Sequence, residues 1–462
     1  MHNKNKITLL NIASTIILQG LAFFSGPIFS SALGTSNYGI AAVYLTWVQI
    51  ASIVFSLQAG GAIGVARIDY PVEEQKRYQS SVLSLATVSF ICLSILVVLF
   101  ALVTQNSLKL NVAVITLGLA QAWGMYCVTF MNAKYTYEFK AGRNLILSAS
   151  ASALTILFSI ILIRGFSAEN NYWGRIIGQS AVYVVFGVFL YINMFRAGQT
   201  FFDKEFWMFT LPITIPTIFH SLAHIVLNQS DKVMIQGMMG NSPAGVYALA
   251  STFSAVMNAV WHALNNTWAP FYYEYTKHGR IDEMKKHAKN YIELFSVICI
   301  GFLLLSREVF HLYAADKAFW VGTDYVPLLA IGYYFVFMYS FPVNFEFYNK
   351  KTKSIAIGTI SAAAINIIFN YLMINWIGGL GAVIATVISH AFLFLFHYLN
   401  SKRIKDMKFP FTLNDFALGL LSVIVACLIS FLLKDLWLIR WGFSGVLGVY
   451  IIAKILKRRE IF

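Results

Sequence analysis

The best-ordered polar set in the sequence is His220, His224, Asn228 and Asp231. At 3.6 residues per turn these side chains fall at about 0, 40, 80 and 20 degrees around a helix, so they share one face. Two imidazoles, an amide and a carboxylate in a stripe can line a hydrated path in which Asp231 is a cation or proton site. They can equally satisfy a neighbouring helix as interhelical hydrogen bonds. Pro212 and Pro216 precede the stripe by about one to three turns, where they would free backbone carbonyls and kink the helix. A second stripe joins Asn258, His262 and Asn265, with Asn266 at its edge and Pro270 expected to close the helix. Milder versions are Asn11, Thr15 and Gln19, then Gln49, Ser52, Ser56 and Gly60, whose small residues also suit close helix packing. Asn366 and Asn370 stand at i and i+4, with Thr386 at comparable depth in the following helix.

No Gly-rich phosphate loop, paired carboxylate site or metal-ligand spacing accompanies these groups, so no enzymatic activity is read. Cys92, Cys127, Cys299 and Cys427 lie far apart inside apolar runs and read as small apolar side chains.

The elements that must carry these stripes follow from composition. Of 462 residues, 58% are hydrophobic and only 12% charged, about half the charged share of a soluble domain. Charges are also bunched, leaving uncharged runs at Ile7–Ala66, Tyr78–Leu108, Val233–Tyr273 and Ser354–Ser401. Since one bilayer-crossing helix needs about 20 apolar residues, the first run is two spans joined by a polar turn. The chain is expected to be an all-α integral membrane protein of fourteen transmembrane helices, centred near residues 18, 52, 92, 121, 154, 185, 218, 257, 301, 336, 365, 389, 424 and 447. No soluble domain fits between them. Lys4 and Lys6 precede an apolar stretch ending at Phe29, and Ser30-Ser31-Ala32 could pass for a signal-peptidase site. The stretch is long for a signal peptide and is read as an uncleaved first span.

A net charge of +14 would suggest a nucleic-acid partner in a soluble protein. Here it reports orientation, and no nucleic-acid partner is expected. With a cytoplasmic N-terminus, only Lys109, Arg164, Arg175, Lys232, Arg307, Lys317, Lys434 and Arg440 of the 34 Lys and Arg are left outside. Both termini are therefore expected in the cytoplasm. The clusters at Lys277, Arg280, Lys285, Lys286 and Lys289, at Lys350, Lys351 and Lys353, and at Lys402, Arg403, Lys405 and Lys408 suit orientation and contact with anionic membrane lipids.

Gly34-Thr35-Ser36-Asn37-Tyr38-Gly39 follows the first span and Gly240-Asn241-Ser242-Pro243-Ala244-Gly245 the seventh. Both glycine pairs, Ser36 with Ser242 and Ala42 with Ala248 keep one offset, six spans apart. This is a parallel repeat about an axis along the membrane normal. It divides the chain into an N-lobe at 1–200 (helices one to six), a C-lobe at 201–400 (seven to twelve) and two additional helices at 401–462. Two lobes facing a central cavity are a transporter plan.

The segments FSSALGTSNYGI from Phe29 and SDKVMIQGMMGNSPAGVY from Ser230 resemble the polysaccharide exporter and O-antigen flippase family, within the multidrug, oligosaccharidyl-lipid and polysaccharide exporter superfamily. The resemblance covers the whole chain in span number and order. It implies a flippase that moves undecaprenyl-pyrophosphate-linked oligosaccharide repeat units across the bacterial cytoplasmic (inner) membrane by alternating access, for O-antigen, capsule or exopolysaccharide synthesis. A monomer is expected, working beside a polysaccharide polymerase and glycosyltransferases; without a phosphate loop or metal motif, its energy is expected from an ion gradient or membrane potential and it needs no bound cofactor. For such a substrate Arg67, Lys232 and Arg307 are candidates for the pyrophosphate, although each also suits an interfacial side chain and Arg307 can be neutralised by Glu308. Likeness to the lipid II flippase branch makes Asp231, Asn366, Asn370 and Thr386 a candidate sodium cluster, with oxygen ligands suited to a hard cation. The alternatives are a cation-coupled multidrug or metabolite antiporter, which would carry an acidic residue in the N-lobe spans, and a lipid II flippase, which would carry arginines in the first two. The uncharged run from Ile7 to Ala66 argues against both.

Overall fold

The computed structural model describes the backbone of residues 2–108, 111–405 and 407–458, and side chains outside 1–19, 22, 106–110, 406 and 455–462. The stripe Asn11, Thr15 and Gln19, and Lys109, lie outside the residues whose side chains are described.

The helices are α1 (His2–Val54), α2 (Ile63–Asp69), α3 (Gln75–Leu108), α4 (Val112–Tyr137), α5 (Ala141–Ile163), α6 (Tyr172–Gly198) and α7 (Lys204–Met239). They continue as α8 (Asn241–Lys277), α9 (Ile281–Tyr313), α10 (Tyr325–Tyr348), α11 (Thr352–Ile377), α12 (Gly379–Arg403), α13 (Leu413–Leu432) and α14 (Trp437–Arg458). Contacts divide the chain into two compact units, Met1–Gln229 and Ser230–Phe462, with the boundary inside α7.

The first two spans both lie in α1, broken at Gly34 by a φ of 66° and ψ of 177°. Its repeat partner Gly240, between α7 and α8, has φ 97° and ψ −178°. Side-chain-bearing residues essentially never adopt that backbone region, and nothing crowds either position within 4 Å. The two matched glycines are thus required by the chain path and not by space. Asn37 Nδ2 to Ala168 O and Asn171 Nδ2 to Ala32 O, each 2.8 Å, fasten the first of these turns to the α5–α6 connection. The repeat extends further than the sequence pattern did. Phe139 after α4 and Lys350 after α10 both have φ 57°, and the next amide closes the same turn in each, Lys140 N to Tyr135 O at 2.8 Å and Lys351 N to Glu346 O at 2.9 Å.

Apolar side chains face both ways. Ile91, Ile95, Leu99 and Val103 on α3, and Leu418, Leu421, Val425 and Leu432 on α13, form exposed stripes at helical spacing that only a lipid solvent makes favourable. Within the first unit the helices meet through small residues. A Cβ on Gly124 of α4 would lie 2.1 Å from Tyr183 O of α6, the close approach by which membrane helices gain dispersion contacts. The second unit instead packs an aromatic core, with Trp268 on Tyr291 at 5.2 Å and Phe295 on Phe337 at 4.3 Å between ring centroids.

Among the described residues, eleven helices are long and apolar enough to cross a membrane, α1 being represented by Phe23–Val54; α9 and the described part of α14 are not among them. Their charges answer one another. Glu308 of α9 meets Arg440 of α14, and Glu293 meets Lys454 and accepts a 2.6 Å bond from Tyr450. Arg440 has no exposed surface and also donates to Leu304 O at 2.7 Å and Leu433 O at 2.9 Å. This corrects the expected Arg307–Glu308 pair: Arg307 instead meets Asp324 at 3.1 Å. Pro270 does not close its helix either, since α8 runs on to Lys277.

Candidate functional site

In the second unit α7, α8, α11 and α12 bring together one buried polar cluster. Asp231 is 2% exposed. Its carboxylate accepts from Asn370 Nδ2 at 2.5 Å, from Thr386 Oγ1 at 2.8 Å and from the Tyr247 hydroxyl. Asn366 Oδ1 in turn accepts from Asn370 Nδ2 at 2.9 Å and from Ser230 Oγ at 2.8 Å. A carboxylate removed from water is costly unless charged or polar partners replace its hydration, and three donors do so here. Asn370 Oδ1 is buried without a hydrogen-bond partner. Because Asn370 turns its Nδ2 toward Asp231, an all-oxygen donor set of the kind a hard cation takes would form with the Asp231 and Thr386 oxygens only on reversal of that amide. When bound, a cation there would neutralise Asp231 and give the orphaned amide oxygen a ligand.

Tyr247 was not among the residues expected in this cluster. It ends the segment SPAGVY that carries the family resemblance, and it follows Gly240 by two turns of α8, so the repeat motif itself was the available signal.

The stripe on α7 does not keep one environment. His220 and His224 are exposed and Asn228 half-buried, and Asn228 Nδ2 donates back to His224 O at 2.7 Å in its own helix. Asp231 is enclosed, because Tyr247 of α8, Asn370 of α11 and Thr386 of α12 pack around its carboxylate. Lys232 is half-buried beside it. On α8, Asn258 is half-buried and His262 exposed, while Asn265 Oδ1 accepts from Asn344 Nδ2 of α10 at 3.2 Å, an interhelical bond. Arg67 is exposed in the last turn of α2, and Arg307 is committed to Asp324.

The first unit holds a hollow of about 460 Å³ lined by Gln49, Ser52, Ser56, Gln58, Tyr126 and Thr129, among others, and, among the described residues, by no charged side chain. Its cause is a correction to the sequence reading, in which residues 49–60 formed one face of an unbroken helix. The helix stops at Val54, the chain passes through Leu57 (φ 54°) and Gln58 (φ 46°), and a 3-10 turn at Ala59–Ala62 leads into α2. Two successive side-chain-bearing residues in the left-handed region cost about 1–2 kcal/mol each. Broken helices are tolerated at membrane depth where they line a cavity, and mark binding sites in transporters. The break is held by Gln58 Nε2 to Ser221 Oγ at 2.9 Å and Gly60 N to Tyr126 Oη at 3.1 Å. Gln49 and Ser52 reach the hollow from regular helix before the break, and Ser56 and Gly60 from the distorted segment itself.

A second buried set was unforeseen. Glu346 of α10 and His397 of α12, both without exposed surface, meet at 2.7 Å, and Asn400 Nδ2 donates to the other carboxylate oxygen at 2.8 Å.

Residues 5–276 match the profile of a family described as polysaccharide biosynthesis protein. The chain is 21% identical over 369 residues to Lsg locus putative protein 1 of Haemophilus influenzae, covering 76% of this chain and 86% of that protein. Its fold is similar to a solved structure of the lipid II flippase MurJ in an inward closed conformation, with a TM-score of 0.68 at 16% identity over 98% of this chain and 99% of that one. It is also similar to an inward-facing multidrug resistance MATE family transporter of the MOP superfamily, with a TM-score of 0.57 at 14% identity over 86% and 99%.

Proposed function

The chain belongs to the polysaccharide biosynthesis protein family, and from that premise we propose that it is a flippase for undecaprenyl-pyrophosphate-linked oligosaccharide repeat units in the bacterial cytoplasmic membrane, with both termini inside. The observation that carries this reading is the uncharged hollow of the first unit. A glycan headgroup presents hydroxyls and carries its charge only on the diphosphate. Gln49 and Thr129 offer an amide and a hydroxyl and Gln58 its amide oxygen, while the exposed Tyr137 offers a ring against which a sugar face packs. A cationic drug would favour a carboxylate in that hollow. The diphosphate is assigned to the basic groups Arg67, Lys232 and, on exchange of its Asp324 partner for phosphate, Arg307, because a guanidinium or ammonium pairs with an anionic headgroup. The prenyl tail stays in lipid throughout.

Asp231, Asn366, Asn370 and Thr386 supply coupling. A sodium ion or proton taken up by Asp231 would cancel a buried charge and loosen the bonds that tie α7 to α8, α11 and α12, so that loading biases one arrangement of the second lobe over another.

Deleting the gene should leave lipid-linked repeat units on the inner leaflet and remove one surface polysaccharide, with drug sensitivity unchanged. An intact surface polysaccharide together with increased dye retention would instead assign the protein to antiport.

A further inference from the structure

We propose that the groove between α9 and α13 is a binding site for one anionic glycerophospholipid, a ligand separate from the transported substrate and independent of the flippase reading. The groove encloses about 780 Å³ and lies wholly in the second unit. Lys285, Lys286 and Lys289 stand at one end, and Ile292, Val297, Ile300 and Leu418 line the remainder. Its two ends have opposite chemistry, one cationic and one apolar, matched to a lipid that is anionic at one end.

The spacing along α9 fits a lipid lying parallel to the helix. From Lys289 to Ile300 the rise is about 16 Å at 1.5 Å per residue, about half of the ~30 Å hydrocarbon core. One acyl chain therefore runs from the lysines to near mid-membrane, within its own leaflet. All three lysines are exposed, free to meet a phosphate at headgroup level.

The acidic groups of the groove are engaged elsewhere. Glu293 meets Lys454 and Tyr450 of α14, and Asp415 accepts from the backbone and hydroxyl of Thr412 as the cap of α13. With Glu293 offset by Lys454, the three lysines outweigh the single remaining charge of Asp415 and the mouth is net positive. Asn414 at its edge adds amide donors suited to phosphate oxygens. Basic pockets between spans at this depth are the sites at which anionic headgroups bind.

The test is native mass spectrometry of the delipidated full-length protein with added phosphatidylglycerol or phosphatidylcholine, alongside thermal unfolding to confirm that each variant folds. Wild type should retain phosphatidylglycerol at least tenfold better than phosphatidylcholine. The variant K285Q/K286Q/K289Q should lose that preference, and Val297→Trp, which fills the groove while keeping every lysine, should lose at least tenfold in retention. If Val297→Trp binds as wild type does, the lysines act as a diffuse surface charge and the site is overturned. Equal retention of the two lipids also overturns it, as does preferential retention of a polyprenyl diphosphate over phosphatidylglycerol at equal concentration.

Discussion

Arg440 and Glu308, far apart in sequence, meet as an ion pair that fastens the last helix to α9. The guanidinium is fully buried and the carboxylate a quarter exposed, with 26% of its side-chain surface accessible. Removing one member leaves the other poorly compensated, at a cost of about 3 kcal/mol. Arg440→Met should therefore lower the unfolding temperature in detergent, and adding Glu308→Gln should recover most of the loss. A double variant no better than the single one would show that the backbone bonds of Arg440 matter more than the pair.

Gly34 and Gly240 share a backbone region closed to side chains. Alanine at either should cost about 1–3 kcal/mol, whereas Gly237→Ala, in the helical body of α7 with open space around it, should be neutral or slightly stabilising. Equal thermal shifts for all three variants would refute the argument from φ.

Asp231→Asn keeps a hydrogen-bonding group of the same shape among Tyr247, Asn370 and Thr386. The fold should survive with about 1 kcal/mol lost, while reconstituted flipping slows and no longer depends on sodium or pH. Wild-type rates per folded molecule with intact ion dependence would end the coupling proposal. Arg307→Ala is the contrasting case, expected to weaken substrate affinity with ion dependence unchanged.

Gln49→Leu removes an amide from the hollow without adding charge. Loss of one hydrogen bond worth about 1 kcal/mol corresponds to roughly fivefold weaker headgroup binding. Competition by soluble glycan fragments in the reconstituted assay would report it, and an unchanged affinity would detach the hollow from substrate.

Single cysteines in a cysteine-free background test the orientation. Arg143, Lys286, Lys317 and Lys351 are all exposed, so accessibility depends only on side. An impermeant thiol reagent added to spheroplasts should label position 317 and spare 143, 286 and 351. Labelling at 286 from outside would invert the map.

Helix number, order and the two-lobed repeat were legible in the sequence because lipid imposes a local rule: about 20 apolar residues close their own backbone hydrogen bonds, and charges gather between them. The same rule hid what depends on distance. Arg440, Glu346 and His397 look like isolated charges or polar groups, and Glu308 like the partner of its neighbour Arg307, until the fold supplies each with a partner from another helix. The matched glycines could be paired by spacing, because a chain reversal restricts the residue type at that position. The break after Val54 carried no such mark, since the left-handed residues there are Leu57 and Gln58 and the segment is tied through Gln58 and Gly60 to side chains that arrive from α7 and α4. Periodicity grouped His220, His224 and Asn228 with Asp231. Only the tertiary structure separated them, because a helix face has one angle but its burial is set by whatever packs against each turn.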